Sequence, residues 1–590
     1  MLVIVRYIST YLKAVANIAL FLVASLSHLA YAAPGRLDTT FGFDNNGTVS
    51  YLIGENVTGG GAPFNLHVLS DNKILVAFND ADLSNPSSTN TRRFMRLESD
   101  GSIDASYANL GILSYSTGHP IRGFSGSVNI QTTFVTSDEG VLSIDRDLNS
   151  QFIVLSKFTP DGLLDTAYGD NGRVVTTIKS YIDASLQTDG KLVIAYSGVS
   201  LRRYNTDGSI DTSFADGGKL TYIPTGVGSE IPTALTTLAD GKILVSSTDT
   251  VTYGGYNTLL RINPHGSIDD TFVLNNKPIF PQIPLVRSMI QQPDGKIIFI
   301  GFDNITTSII VTRLNSDGST DNLFGNAGVV TIDNNTFSNP YTSPLELTVM
   351  PDGKYIISSS DAPDCMVTRL RPNGVIDTAF GDSGFFLEAY EAGASYNLAI
   401  PPCGEDQAVA KQVDGKLLLV TYGGSNFSLS PSDVRLYRLQ GDNLDVTPDV
   451  VAFTSSNNVQ TNILQVSNTI TISGIDPTVS VPVHVANGTY SVNDGSFTSN
   501  YGWVTDGDQL KVQHTSSQQA GTTTETTLYV GGIGDHNNNS RTIGSQHLIF
   551  ASTTAGAAAS GAGGGCLNIY MLFMFVTMKF FRLRLIRPVQ

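Results

Sequence analysis

The chain has 590 residues, of which 41% are hydrophobic and 9% aromatic, and this suits a folded protein with at least two domains. Only 15% of the residues are charged, and 57 glycines are spread among many serines and threonines, as in turn-rich exported β proteins. The net charge of −17 excludes nucleic acid as the expected partner, because a duplex-binding protein needs a basic face to displace counterions.

Residues 1–32 are predicted to be a secretory signal peptide. Two basic residues precede a short apolar stretch at 14–26, and Ala30-Tyr31-Ala32 fits the small-x-small pattern of a cleavage site. We expect cleavage after Ala32, so that the mature chain begins at Ala33. A retained membrane anchor is the alternative, and the shortness of the apolar stretch favours cleavage.

Two short phrases alternate along most of the chain and predict a repeat fold. One, as in "PDGKIIFIG", joins an Asp-Gly turn to an apolar run, and the other, as in "DGSIDTSF", places an aspartate before an aromatic residue. The first phrase has its aspartate at Asp71, Asp138, Asp189, Asp240, Asp294, Asp352 and Asp414. The second has its later aspartate at Asp38, Asp104, Asp165, Asp211, Asp269, Asp321 and Asp377. A period of roughly 50 to 60 residues is typical of an array or a propeller.

Each repeat is predicted to hold four short antiparallel strands. Asp-Gly between two apolar runs indicates a two-residue hairpin turn with positive φ at both central residues. Two copies depart from this pattern, because Asn72 replaces the glycine and "SDEG" at Asp138 is expected to shift the turn. Runs such as "KIIFIGF" are apolar at nearly every position, which indicates strands buried on both faces. A parallel α/β sheet also buries both faces, but the sequence has no sustained helical period, so the propeller is favoured.

Seven copies predict an all-β fold with a seven-bladed β-propeller over residues 34–442. The N-terminal piece "GRLDTTFGFDNNGTVSY" follows no first phrase, and the seventh repeat lacks its own second phrase. We therefore expect the N-terminal piece to complete the last blade, which closes the ring and hides both open edges. The paired phrases resemble the delta-60 repeats of secreted bacterial proteins, which are taken to be β-propellers. The resemblance implies no catalytic activity and no cofactor.

The repeated aspartates of the second phrase suggest a ring of carboxylates, but their recurrence indicates a structural role. A residue present in every repeat serves what the repeats share, and an aspartate after a turn can accept backbone N–H bonds. No calcium loop of the "DxDxDG" type is present, so no metal site and no catalytic residue are predicted. The predicted turn residues are Asp104, Asp165, Asp211, Asp269, Asp321 and Asp377.

Chemistry is expected where one repeat differs from the others, and three places differ. His265 stands where other copies have Asp or Asn, a stretch around Cys403 and Glu405 lengthens the seventh repeat, and residues 79–93 widen the first. No nucleophile elbow, HExxH motif or phosphate-binding loop accompanies them. His265 is most simply a surface substitution.

The cysteines suit an oxidising compartment. Cys365 and Cys403 fall in neighbouring repeats and are predicted to form a disulfide, although both could be free and buried. The third, Cys566, lies in the C-terminal tail.

Residues 446–553 are predicted to form an immunoglobulin-like β-sandwich. Apolar and polar residues alternate there, and turn signals come about every 8 to 12 residues. The stretch resembles Ig-like modules of bacterial extracellular proteins. Tyr490, Phe497 and Trp503 are its expected core or rim aromatics, and sugar stacking by Trp503 is the less favoured alternative.

The C-terminal region is predicted to be a sorting signal or a membrane anchor. A Gly/Ala/Ser linker at 554–566 precedes residues 567–590, which join a short apolar segment to a basic tail. The apolar part is shorter than the roughly 20 residues that span a bilayer. Its order resembles the GlyGly-type sorting signals of Gram-negative bacteria, which implies processing near Gly565 and Cys566. A retained tail anchor is the alternative.

The sequence therefore predicts an exported protein of the cell surface, outer membrane or extracellular space of a Gram-negative bacterium. We expect non-catalytic binding or adhesion to an extracellular protein or polysaccharide, with membrane contact only through the C-terminal segment and no cofactor. A carbohydrate-active enzyme, either a polysaccharide lyase or a glycosidase, is one alternative. An envelope-structural protein is another.

Overall fold

The computed structural model describes most of the two predicted domains, and it contains no helix in that part of the chain. No helix that could span a membrane is accordingly found there. The predicted signal peptide and the segment 567–590 lie outside the described residues. The described residues are 33–43, 46–52, 63–80, 89–120, 132–146, 152–197, 200–221, 230–249, 257–273, 278–279, 285–303, 308–332, 345–361, 364–388, 409–423, 433–442, 444–449, 451–534 and 542–556.

Residues 48–439 form β-propeller sheets, each made of four antiparallel strands. The first strands in the chain are β1 (Thr48–Leu52), β2 (Pro63–Val68), β3 (Ile74–Asp80), β4 (Thr89–Leu97), β5 (Ile112–Pro120), β6 (Thr132–Val135), β7 (Val141–Arg146), β8 (Ile153–Phe158), β9 (Arg173–Val175), β10 (Tyr181–Leu186), β11 (Leu192–Tyr196), β12 (Ser200–Tyr204) and β13 (Lys219–Thr221). They are followed by β14 (Glu230–Thr237), β15 (Ile243–Asp249), β16 (Asn257–Ile262), β17 (Pro278–Ile279), β18 (Leu285–Gln291), β19 (Ile297–Phe302), β20 (Ile309–Leu314), β21 (Val329–Ile332), β22 (Leu345–Val349), β23 (Tyr355–Asp361), β24 (Asp364–Leu370), β25 (Phe385–Glu388), β26 (Val409–Lys411), β27 (Leu417–Gly423) and β28 (Asp433–Leu439).

We number these sheets by their order in the chain. Sheets 1 to 6 are β2–β5, β6–β9, β10–β13, β14–β17, β18–β21 and β22–β25, and sheet 7 is β26, β27, β28 and β1. Within each sheet the strands are called first to fourth in that order. The second strand of sheet 5, "IIFIGF", is buried at every position, as its continuous apolar run predicts.

The Asp-Gly turns differ from the predicted two-residue type. In sheet 4, Leu238 N–H donates to the Lys242 carbonyl (2.8 Å) and Gly241 N–H donates to the Leu238 carbonyl (2.9 Å), which is a type I turn closed by a glycine bulge. Within this turn only Gly241 has positive φ (80°), and the Asp240 carboxylate accepts the Lys242 N–H (3.1 Å).

The predicted shift of the turn at "SDEG" is also wrong. Glu139 takes the positive φ (62°) that glycine has in the other copies, and Asn72 does the same (67°) in sheet 1. The hydrogen bonds from Thr136 to Gly140 and from Glu139 to Thr136 match those of the other turns. The turns of sheets 1 and 2 therefore have the same backbone geometry as the other copies, although a non-glycine residue adopts the left-handed conformation in each.

The N-terminal strand completes the sheet of the last propeller strands, as its missing first phrase predicts. β1 pairs antiparallel with β28, with Thr48 opposite Tyr437 and Leu52 opposite Asp433. Phe41, just before it, is fully buried. The first and last parts of the propeller therefore share one sheet.

The residues after 445 form two further sheets. Their strands are β29 (Ser456–Val459), β30 (Leu464–Val466), β31 (Ile470–Thr471), β32 (Val481–Ala486), β33 (Thr489–Val492), β34 (Gly502–Val504), β35 (Gln509–Thr515), β36 (Thr523–Val530), β37 (Ile533–Gly534), β38 (Thr542–Ile543) and β39 (Gln546–Thr554). One sheet has the order β29-β39-β36-β32-β34. In the other, β35 has β33 on one side and β30 followed by β31 on the opposite side. A small pair, β37 and β38, is separate.

Both of these sheets contribute to one hydrophobic core. Val483 and Leu528 from the first sheet are fully buried together with Leu510 and Val512 from the second. Tyr490 is also buried (2% exposed), as its assignment to core or rim predicts.

The second domain contacts the propeller at the Asp-Gly turns of sheets 6 and 7. Ser480 N–H donates to the Pro351 carbonyl (3.2 Å), and a Cβ placed on Gly544 would lie 2.9 Å from the Val413 side chain. Val446, 3% exposed, belongs to a hydrophobic cluster that includes residues of both domains. One end of the propeller is thus partly covered.

Candidate functional site

The two ends of the propeller differ in how much their connections vary. Because strands alternate in direction, the first-to-second and third-to-fourth connections lie at one end, which we call the turn end. The other connections lie at the opposite end, which we call the loop end. Each first-to-second connection has five residues: 69–73, 136–140, 187–191, 238–242, 292–296, 350–354 and 412–416. The third-to-fourth connections of sheets 1 to 6 are 98–111, 159–172, 205–218, 263–277, 315–328 and 371–384.

The connections at the loop end vary widely in length. The connections between second and third strands range in length from 2 residues (362–363) to 9 residues (424–432). Those between one sheet and the next range from 5 residues (176–180) to 20 residues (389–408). Most of these residues lie outside the described part of the chain. Connections of this kind tolerate change and carry binding functions when a rigid scaffold holds them. The loop end is therefore the candidate binding face.

The repeated aspartates lie at the turn end, where each is the centre of an ionic cluster. In sheet 4, Asp269 accepts hydrogen bonds from Arg261 Nε (2.7 Å) and lies 3.1 Å from Lys242 Nζ. Its other oxygen accepts the Thr271 N–H (3.1 Å) and hydroxyl (2.6 Å). Asp269 is 4% exposed, so both cations are held over a buried carboxylate.

The same cluster recurs around the ring with small changes. The strand cation and its aspartate are Arg96–Asp104, Lys157–Asp165, Arg203–Asp211, Arg261–Asp269, Arg313–Asp321, Arg369–Asp377 and Arg438–Asp38. In sheet 6 the turn lysine, Lys354, pairs with Asp442 in place of the repeated aspartate.

The cations keep these carboxylates ionised. Burial by itself would raise the pKa of Asp38, but hydrogen bonds from Thr40 and the charge of Arg438 lower that pKa to about 2. Burial likewise opposes the lowering at five other positions, where hydrogen bonds and neighbouring cations prevail. The carboxyls whose pKa is lowered in this way are those of Asp104, Asp211, Asp269, Asp321 and Asp377. Groups of this kind serve as anions and are poor proton donors near neutral pH.

The cluster of sheet 4 also joins its sheet to the next one. The Arg261 guanidinium lies 4.4 Å from the Phe272 ring centroid and donates to the Ser316 carbonyl of sheet 5. The same ring packs against Gly318, where a Cβ would lie 2.7 Å from it, so only glycine fits. The aromatic residue and the glycine belong to the second phrase, and the arginine lies on the strand just before it.

A chain of backbone hydrogen bonds runs through these clusters from sheet to sheet. The donor N–H and acceptor carbonyl are Gly42 and Asp100, Ala108 and Asp161, Gly169 and Asp207, Ala215 and His265, Val273 and Asp317, Gly325 and Asn373, and Gly381 and Pro34. The last of them returns to the N-terminal piece. The predicted turn aspartates are occupied by cations and turn residues of their own sheets, beside these bonds between sheets.

The other predicted residues lie apart from one another. His265 is exposed at the turn end, where its Nε2 lies 2.9 Å from Ser267 Oγ. Cys365 is buried and disulfide-bonded. Its predicted partner, Cys403, lies outside the described residues, so their pairing stays a prediction. Ala33 is the first described residue. Glu405, Ala32, Gly565 and Cys566 also lie outside the described residues.

One polar cluster that the sequence analysis missed lies between sheets 1 and 2. Arg92 Nε donates to Asp145 Oδ1 (2.7 Å), and Tyr115 OH and Ser143 Oγ donate to Asp145 Oδ2 (2.7 and 3.0 Å). Arg92 and Asp145 are each 1% exposed. Arg92 lies four residues before Arg96, the strand cation of sheet 1. The corresponding residue of sheet 5, four residues before Arg313, is the apolar Ile309. That mismatch between copies was the available signal.

A second missed feature is a set of side chains that join neighbouring first strands. Asp183 Oδ2 accepts the Leu235 N–H (2.6 Å), while Asn65 Oδ1 accepts the Thr133 N–H (2.7 Å) at the matching place in sheet 1. Burial raises the pKa of Asp183 to about 7, against the effect of two backbone N–H donors. Asp183 is therefore protonated more readily in the folded chain than in the unfolded chain.

This pKa predicts that Asp183 contributes less to the stability of the folded chain as the pH rises from about 4 to about 7. A carboxyl that holds its proton more tightly when folded stabilises the fold below its unfolded pKa and loses that effect as pH rises through the folded value. The loss is at most about 4 kcal/mol, since Asp183 keeps some exposure. Urea unfolding at pH 5 and pH 7.5 measures it.

Asp183→Asn is the control, because its amide oxygen can still accept the Leu235 N–H, as Asn65 accepts the Thr133 N–H. In Asp183→Asn, residue 183 does not titrate. The change in unfolding free energy between pH 5 and pH 7.5 should therefore differ from that of wild type by the Asp183 contribution. The comparison also cancels His484, whose pKa is lowered to about 4 by burial and by His547 and which acts in the opposite sense. Equal differences in the two proteins would contradict the prediction.

In the second domain, Trp503 and Phe497 are half-buried and lie outside the fully buried core. Trp503 packs edge-to-face with Tyr501 (5.8 Å between ring centroids) and lies opposite Pro482 on the neighbouring strand. Beyond it, His484 stacks on Tyr529 at 4.4 Å. Trp503 therefore lies beside a group of aromatic rings at the edge of the core, and its alternative role in sugar stacking stays a prediction.

Across the described ranges, no group of three or more His, Cys, Asp or Glu side chains is placed to hold a metal ion.

Comparison with known proteins supports the propeller. A family model described as "Domain of unknown function (DUF5122) beta-propeller" matches residues 69–107, 187–214, 238–272 and 292–324. Each matched stretch begins at or near an Asp-Gly turn and ends at or near the aromatic residue of the second phrase. No curated protein matches the chain.

Several solved structures are similar in fold. The WD40 domain of coronin from Toxoplasma gondii is 8% identical, with a TM-score of 0.38, over 70% of this chain and 90% of that one. The β-propeller domain of the Trilobed protease from Pyrococcus furiosus is 9% identical, with a TM-score of 0.36, over 65% and 95% of the two chains. The extracellular domain of the one component system protein BT4673 from B. thetaiotaomicron is 9% identical, with a TM-score of 0.36, over 86% and 59%. At such values no function is carried over from them.

Proposed function

We propose that the chain is an exported, cell-surface-associated binding protein that meets an extracellular protein or polysaccharide at the loop end of a seven-bladed propeller. In this proposal the seven four-stranded sheets are the blades of one ring built from delta-60-type repeats. The later sheets form an Ig-like module, and residues 567–590 sort or anchor the protein at the surface of a Gram-negative bacterium.

The observation that carries the proposal is the contrast between the two ends. At the turn end, connections of nearly constant length hold ionic clusters whose carboxylates and cations pair with one another. At the loop end, the connections range from the two residues 362–363 to the longest segment, 389–408. A ring that keeps one end constant and varies the other is suited to present a binding surface.

Exchange of a loop-end connection tests this proposal. Replacing residues 333–344 with the shorter connection 280–284 should leave the melting temperature nearly unchanged and weaken binding to a ligand found in a panel of purified polysaccharides and envelope proteins. Val375→Lys, on an exposed side chain at the turn end, is the matched control. Binding that survives exchange of each loop-end connection, or that is lost in the control, would place the binding surface elsewhere.

The same screen separates binding from catalysis. Depolymerised product from any polysaccharide in the panel would favour the carbohydrate-active enzyme over the binding protein. The unrepeated charged cluster around Arg92 and Asp145 is buried. No binding and no turnover across the panel would favour an envelope-structural protein.

A further inference from the structure

The second domain has an open strand edge that is apolar and uncharged. β30 is the outermost strand beside β35, and no described residue pairs with its other side. The side chains of Ile463, Leu464 and Val466 are 46%, 56% and 48% exposed. The whole stretch from Val450 to Ile475 contains no Asp, Glu, Lys or Arg, in a chain with a net charge of −17.

The backbone of this edge is free to form a further ladder. Ile463 carbonyl accepts the Ser516 N–H (2.9 Å), and Ser467 N–H donates to the Val512 carbonyl (2.9 Å), so these two residues face β35. Alternate residues of an antiparallel strand face opposite sides of the ladder. The N–H and C=O groups of Leu464 and Val466 therefore point away from β35.

The other edges of the same domain are blunted. In β29 a register shift brings Asn458 to φ 56°, which interrupts the edge with a bulge. Beside β33, Thr498 exchanges both backbone hydrogen bonds with Tyr490 and covers that edge. β34 is only three residues long. β30 is equally short, but among the described residues it has no bulge, no covering segment and no charged residue, which are the other devices by which proteins protect edges.

We propose that β30 pairs with β30 of a second copy of this chain, antiparallel across a two-fold axis at Gln465. This arrangement places Leu464 of each copy opposite Val466 of the other. Both residues then use their outward N–H and C=O groups, which gives four hydrogen bonds between the copies. The pairing is isologous, so it closes at two copies and does not grow into a filament.

Charge favours a second copy as the occupant. Two chains of net charge −17 repel each other over most of their surfaces, and they can meet most closely where neither has a charged residue. A strand whose outward residues are Leu and Val on both sides of the axis is complementary to itself. Because the ladder is short, we expect a weak dimer that forms with rising protein concentration.

Sedimentation velocity of the full mature chain over a wide concentration range tests the pairing. Wild type should shift from monomer towards dimer, while Val466→Lys should stay monomeric, with a dissociation constant raised roughly tenfold or more by the edge charge. Val375→Lys changes an equally exposed valine (54%) on the propeller and should dimerise like wild type. A wild type that is monomeric throughout, or a dimer that persists in Val466→Lys, would overturn the proposal.

Disulfide cross-linking tests the register in which the two β30 strands pair, and it can trap the dimer even when the dimer is weak. The two Gln465 residues would face each other as a non-hydrogen-bonded pair, whose Cα atoms are about 4.5 Å apart and within disulfide range. In a chain carrying Cys566→Ser, Gln465→Cys should form a disulfide-linked dimer on mild oxidation, whereas Val375→Cys should not. Equal yields from the two variants would refute the two-fold pairing.

Discussion

A chain that begins at residue 53 is expected to lose the cooperative unfolding transition of the propeller. It lacks β1, so β28 becomes an exposed edge, and it lacks the fully buried Phe41. It also lacks Asp38, the carboxylate that accepts from Arg438 Nε at 2.8 Å and lies 3.1 Å from Lys416. Removing one partner of a buried ion pair alone costs about 3–5 kcal/mol, a large part of the stability of a typical domain.

Calorimetric melting of the truncated and mature chains measures this effect. A synthetic peptide of residues 33–52 added to the truncated chain should restore part of the transition, and the same peptide with Asp38→Ala should restore less. A truncated chain that melts like the mature chain would show that the ring does not depend on its N-terminal strand.

Asp211→Ala is expected to destabilise the propeller by about 3–5 kcal/mol, because it leaves Arg203 and Lys191 over a buried site without their carboxylate. Asp211 is 5% exposed, and its Oδ2 accepts from Arg203 Nε at 2.8 Å. Asp216→Ala, in the same connection but exposed, should change the unfolding free energy by less than about 0.5 kcal/mol. Denaturant unfolding at pH 7 compares the two variants with wild type.

The effect of Asp211→Ala should also depend on pH. Burial would raise the pKa of Asp211, but hydrogen bonds from Ser213 and Lys191 and the charge of Arg203 lower it. A carboxyl with a lowered folded pKa stabilises the fold above its unfolded value and loses that contribution as the pH falls. The gap between wild type and Asp211→Ala should therefore narrow below about pH 4. A gap that stays constant down to pH 3 would contradict the ion-pair account.

The Arg92–Asp145 cluster and the Asp183 side chain were not predicted from the repeated phrases. Both lie between sheets, and neither has a sequence signal beyond a polar residue in an otherwise apolar strand. Asn65 does for sheet 1 what Asp183 does for sheet 3, although the two repeats share little else at that place. A polar side chain in a strand becomes interpretable only when its neighbour across the sheets is known.

The amino-acid sequence by itself determined the all-β class, the four-stranded repeat and the pairing of the N-terminal piece with the last sheet of the propeller. These follow from local signals, since an Asp-Gly turn between apolar runs acts within a few residues and a missing phrase at each end implies a shared sheet. The tertiary structure decided which residues meet across sheets. It placed Arg261 on Asp269 and on the carbonyl of the next sheet, assigned the positive φ to Gly241 alone, and left the β30 edge open. Contacts between sheets depend on how whole sheets pack, and no window of local sequence carries that information.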